Sequence, residues 1–170
     1  MKRDALMTTL HADGPAADRS AQMMLYGQFI GSWNGTLVYV DAQGIRRETT
    51  AEVHFGWVLE GRAIQDVWIA PSRSGRRADE RPLMHGSTLR VYDPRQDLWH
   101  ITWIDPVRQV SNRMTGRGVG GDIVQEYRGE NGERVQWMFT DITTDAFHWV
   151  NRQSTGENWR VRAEFFLQRA

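Results

Sequence analysis

Cysteine is absent from these 170 residues, which excludes disulfides, thiolate metal sites and a cysteine nucleophile and fits a reducing compartment. The expected location is the cytoplasm. Long apolar runs are also lacking. The opening residues MKRDALMTTLHADGPAAD interrupt their apolar positions with Thr8, Thr9, His11 and Asp13, so no signal-peptide core is expected. No stretch approaches the ~20 apolar residues that cross a bilayer as a helix. Net charge is missing as well, because 21 Lys and Arg balance 21 Asp and Glu. Without an overall field, neither nucleic acid nor a membrane surface is expected as a partner.

Several chemical signatures are missing too. His11, His54, His85, His100 and His148 are the only histidines, and no two are spaced to share a face of one element. The usual zinc ligand sets are therefore unmet, and no metal or other cofactor is expected. A haem held by His100 or His148 rests on analogy between barrels, beside the plainer reading of surface or hydrogen-bonded histidines. The glycines of GRGVGGD (116–122) precede no helix that would offer its N-terminus to a phosphate, so they read as a turn. Ser32, Ser87, Ser111 and Ser154 lack the strand-turn-helix setting of an esterase nucleophile.

What the chain does contain is tryptophan, eight in all, spread through short alternating segments. Its length suits one domain with one core. Residues 1–16 read as a flexible tail, with Gly14 and Pro15 as breakers. In residues 17–29 apolar positions recur at spacings of three and four, which predicts one helix capped by Asp18 or Ser20 and lying over an end of the domain. From Trp33 onward no helical period appears. Strands are expected at 33–40, 46–59, 62–70, 86–92, 98–104, 109–115, 123–128, 133–140, 146–153 and 158–167. Residues 51–57 alternate with a clean period of two, and Asn131-Gly132 is the clearest hairpin turn. Tight turns permit only antiparallel pairing of neighbours, and closing the sheet removes its free edges. The expected fold is all-β, an antiparallel up-and-down barrel of about ten strands with one short N-terminal helix closing an end, in a single domain spanning 17–170.

Gly31-Ser32-Trp33, at the head of the first strand and just after the helix, resembles the opening motif of the lipocalins and the wider calycin superfamily. The layout from about residue 28 to the end agrees with it. The resemblance implies that Trp33 packs across the closed end of the barrel under an arginine from the last strand, Arg160 or Arg162. Gly31, Trp33 and Arg162 are the expected structural set. The chain departs from the lipocalins in lacking their second motif, a secretory signal and a disulfide. It departs from the intracellular fatty-acid-binding proteins in having only residues 41–44 where those carry a helical lid. It is similar to bacterial domains of calycin type.

Residues that point to function are polar groups set among aromatic strands. Taking Ile64, Asp66 and Trp68 as the inward face of the third strand brings Asp66 toward Arg90 on the fourth, because a buried charge must find a partner or shift its pKa. The pair is a ligand-orienting group, a bridge fixing register or, if the third strand has the opposite parity, two outward-facing charges. Trp57, Trp68, Trp99, Trp103, Trp137 and Trp149 are packed core or the walls of a cavity suited to a flat ligand. With Asp66, Arg90, Tyr92 and Asn151 they form the candidate binding set. The basic segment 71–82, with Arg73, Arg76, Arg77 and Arg81, is a solvated loop or an anion-recruiting portal. Three functions follow: binding of a small apolar or aromatic molecule; a cyclase, isomerase or dehydratase in which Asp66, Tyr92 or His100 moves a proton; or a homodimerisation or interaction domain with a filled interior.

Overall fold

The computed structural model describes residues 4–170. Ten antiparallel strands form one closed barrel: β1 (Gly31–Val40), β2 (Arg46–Val58), β3 (Ala63–Ala70), β4 (Met84–Asp93), β5 (Leu98–Asp105), β6 (Val110–Val119), β7 (Asp122–Arg128), β8 (Arg134–Thr140), β9 (Ala146–Thr155) and β10 (Asn158–Arg169). Each strand pairs with its neighbours in sequence, and β10 returns to pair with β1. Two short helices precede the barrel, α1 (Ala5–Leu10) and α2 (Ser20–Gly27), with a 3-10 turn at Ala17–Arg19 between them. Among the described residues no helix is long and apolar enough to cross a membrane.

The ten expected strands are present, and two differ in length in ways that matter. β6 continues to Val119, so Gly116 and Gly118, read from the sequence as part of a turn, belong to a strand. A side chain at Gly116 would collide with the Tyr26 hydroxyl of α2; glycine there lets the helix lie close against the barrel. β10 runs to Arg169, two residues past its expected end.

One end of the barrel is closed by α2 and the residues after it. Met23, Tyr26, Phe29 and Trp33 are fully buried. The rings of Phe29, Phe55, Phe139 and Phe147 pack with centroids 4.8–6.5 Å apart. The Trp33 ring N–H donates to the Phe29 carbonyl at 2.7 Å. Arg169 covers this ring, its guanidinium carbon 4.2 Å from the centroid, and donates to the carbonyls of Ile30, Gln28 and Thr144. The covering arginine is thus Arg169 and neither Arg160 nor Arg162. The register decides this, since Trp33 stands opposite Arg169. Neither Asp18 nor Ser20 caps α2; Asp18 pairs with Arg62 and Arg19, which hold its carboxyl below the usual range.

Residues 4–16, part of the segment read as a loose tail, lie along the same end; residues 1–3 fall outside the described residues. His11 bridges to Val58, Ala12 donates its N–H to the Trp57 carbonyl, and Ala16 donates to Gly61.

The seam between β1 and β10 depends on one residue without a side chain. A Cβ on Gly35 would overlap the backbone carbonyl of Phe166, which cannot swing away as a side chain can. Gly35→Ala is expected to cost about 1–3 kcal/mol of stability, the usual range for overpacking, measured by urea denaturation. An unchanged midpoint would mean that the seam is not closely packed there.

Candidate functional site

Inward positions alternate along every strand, so each strand contributes side chains at successive heights of the interior. Near the closed end they fill it. Toward the other end, among the β3–β4, β5–β6 and β7–β8 connections, they leave a cavity of about 750 Å3. Six of the ten residues expected to bind a ligand line it: Trp68, Arg90, Trp103, Trp137, Trp149 and Asn151. Trp103 meets Trp137 edge to face at 5.9 Å, Trp137 meets Trp149 at 5.4 Å, and Trp149 meets Trp68 at 5.5 Å. These four indoles form a contiguous aromatic wall.

The other four face inward but do not reach the cavity. Trp57 lies against Gly27 at the end of α2. Trp99 packs on Tyr26 at 4.9 Å and on Tyr92 at 5.7 Å. The Tyr92 hydroxyl donates to Asp97 at 2.8 Å, and that bond, with burial, raises its pKa. Asp66 is fully buried opposite Thr88 and does not line the cavity.

Asp66 and Arg90 are paired, on the adjacent strands β3 and β4, with side chains 0% and 1% exposed. The Thr88 backbone N–H donates to the second Asp66 carboxylate oxygen at 3.0 Å. Arg90 Nε donates to Gln125 Oε1 at 3.1 Å, and the same oxygen accepts from the Tyr26 hydroxyl at 3.1 Å. Arg90 also lies over the rings of Tyr26, Phe55 and Phe139, 4.9–5.7 Å from their centroids. Burial pushes the Tyr26 phenol far above its ordinary pKa, so it acts here as a neutral donor. Arg90 therefore forms part of the cavity floor, with its charge compensated by Asp66.

Two wall residues carry polar atoms that are buried and unpartnered among the described residues: the Trp137 ring nitrogen and Asn151 Oδ1, on directly opposed residues of β8 and β9. An unpaired buried polar group costs about 1–3 kcal/mol. Tyr127, whose pKa is raised by its burial, accepts from Asn112 at 3.3 Å on the same wall.

The residues considered as proton carriers lie elsewhere. Asp66 is held by Arg90, Tyr92 is held by Asp97, and His100 is exposed beside Asp93, 3.1 Å away. Asp93 has its pKa lowered to about 2 by the Gln96 side chain, the Arg95 backbone N–H and His100. Because the folded-state value is depressed, the resulting stability is present above about pH 4 and lost as pH falls toward about 2. Asp93→Asn should flatten that part of the acid-denaturation profile; an unaltered profile would show that the bonds persist in the unfolded chain.

His148 stacks on Phe166 at 4.4 Å and pairs with Glu164 at 3.0 Å. Neither His100 nor His148 lines the cavity. No group of three His, Asp or Glu among the described residues is placed to hold a metal ion. In the basic loop, Arg73 pairs with Glu52 and Arg77 with Asp79, while Leu83, just beyond it, lines the cavity. Four arginines do line the opening: Arg108, Arg113, Arg128 and Arg162. Only Arg162 had been singled out from the sequence, for a different place.

No protein-family model matches the chain, and no curated protein sequence matches it. Among solved structures it is similar to Rv2717c from M. tuberculosis, with a TM-score of 0.60 and 14% identity over 92% of this chain and 99% of that one. It is also similar to the S-type phycobiliprotein lyase CPES from Guillardia theta, with a TM-score of 0.55 and 12% identity over 91% and 97% of the two chains. At such identities the likeness is one of fold.

Proposed function

We propose that this barrel binds a small, largely apolar or aromatic molecule in its tryptophan-walled cavity. The observation that carries the reading is the cavity itself. At about 750 Å3 it falls within the roughly 300–1,000 Å3 of small-molecule sites, and its four indoles offer flat surfaces for stacking. Arg90, paired with Asp66, supplies a fixed polar floor. The Gly31–Trp33–Arg169 arrangement at the closed end supports the calycin reading of the fold. Likeness to a phycobiliprotein lyase adds only an analogy, since one fold hosts many functions.

Titration with 2-naphthamide, an uncharged fused-ring probe, tests the reading through tryptophan fluorescence. A saturable change with one site per chain is expected. A linear, non-saturating response would overturn it.

A further inference from the structure

The opening of the cavity has a charge that neither the composition nor the basic loop announces. Arg108 comes from the β5–β6 turn, Arg113 from β6, Arg128 from the end of β7 and Arg162 from β10, and all four line the same cavity. The acidic residues lining it are Glu130 and Glu133, so with Arg90 of the floor set aside, arginine outnumbers carboxylate four to two. Glu133 is already used by the Asn131 backbone N–H at 3.0 Å. Arg128 donates to the Gly132 carbonyl at 3.1 Å. Asp105, beneath the β5–β6 turn, accepts from the backbone N–H groups of Val107 and Arg108, which fixes the turn and leaves the Arg108 guanidinium free. Among the described residues, the side chains of Arg108, Arg113 and Arg162 make neither an ion pair nor a hydrogen bond. A neutral chain thus concentrates unpaired positive charge at the opening of an aromatic-walled cavity.

We infer that the cavity selects planar apolar molecules carrying an anionic group, with the ring system among the tryptophans and the negative charge held at the arginine-lined opening. The inference rests on the proposed binding function and adds the charge of the ligand. A cleft with walls of low dielectric focuses the field of charges at its mouth, raising both the capture rate and the affinity for the opposite sign. Each exposed pair contributes little by itself. Three unpaired guanidinium groups acting together are expected to give a preference of about tenfold.

Three probes of one shape separate this inference from the reading beneath it: 2-naphthoate, 2-naphthamide and 2-naphthylmethylamine, which are anionic, neutral and cationic at neutral pH. Their dissociation constants are measured on the full chain at about 20 mM and about 500 mM NaCl, where screening lengths differ severalfold. The same series is run on Arg108→Gln/Arg113→Gln/Arg162→Gln, whose replaced side chains are exposed. The wild type should bind naphthoate about tenfold more tightly than naphthamide at low salt, with the amine weakest. High salt or the triple replacement should bring the ratio of naphthoate to naphthamide affinity close to one. Equal affinities for the three probes, or a preference for the amine, would overturn the charge selection and leave the cavity reading intact. Failure of all three to bind would overturn both.

Discussion

Asp66→Ala is expected to destabilise the protein by about 3–5 kcal/mol, because it leaves the Arg90 guanidinium buried without its counter-charge. For a domain of this size the melting temperature should fall on the order of 10 °C. Arg90 has nowhere to take its charge. Its side chain is 1% exposed, its Nε is tied to Gln125, and aromatic rings surround it. The loss measures the cost of an orphaned charge, not the net worth of the pair. Asp66→Leu/Arg90→Met, which removes both charges and keeps apolar volume, should therefore recover most of the stability. A loss below about 1 kcal/mol for Asp66→Ala would show that water reaches Arg90. Failure of the double replacement to recover would show that the bonds to Thr88 and Gln125 carry the stability instead.

The second large effect is on binding. Ala163 lines the cavity and is half-buried on β10, just after an irregularity in its pairing with β9. A tryptophan there would extend into the empty space. Ala163→Trp should weaken 2-naphthamide binding at least about 100-fold, equivalent to about 2.7 kcal/mol. Stability should hold or rise by about 0.5–2 kcal/mol, as cavity-filling replacements commonly give. The contrast between lost binding and retained folding distinguishes a ligand site from a core packing site. Undiminished affinity at unchanged stability would place the probe elsewhere, with the external groove beside His148 and Phe166 the first place to look.

Much of this architecture is legible from residue order alone. The period of two in residues 51–57 and the Asn131-Gly132 turn follow from strand pleating and from the backbone angles a tight hairpin requires, and both are local. The pairing of Asp66 with Arg90 follows from the penalty on a lone buried charge once Asp66 is taken to face inward, a parity that the third strand's own alternation leaves open. What a period of two does not contain is height. It shows that Trp57, Trp99 and Tyr92 face inward, as they do, but not that they stand at the filled end while Trp103, Trp137 and Trp149 stand at the open one. Height depends on the stagger between strands that closes the barrel, a property of the whole sheet. The same stagger sets Arg169, not Arg162, opposite Trp33 and leaves Arg162 at the opening. The arginines there escape sequence reading for a related reason. Arg108, Arg113 and Arg128 belong to a turn and two different strands and each resembles a solvated turn or strand charge, whereas the conspicuous cluster at 71–82 has its Arg73 and Arg77 tied to the carboxylates of Glu52 and Asp79.

The most direct test of the central claim is a crystal structure of the protein grown with 2-naphthoate. The account predicts one planar ligand among Trp68, Trp103, Trp137 and Trp149, with its carboxylate toward the arginines of the opening. An interior filled by repacked tryptophan side chains, with the probe absent or held only on the outer surface, would contradict it.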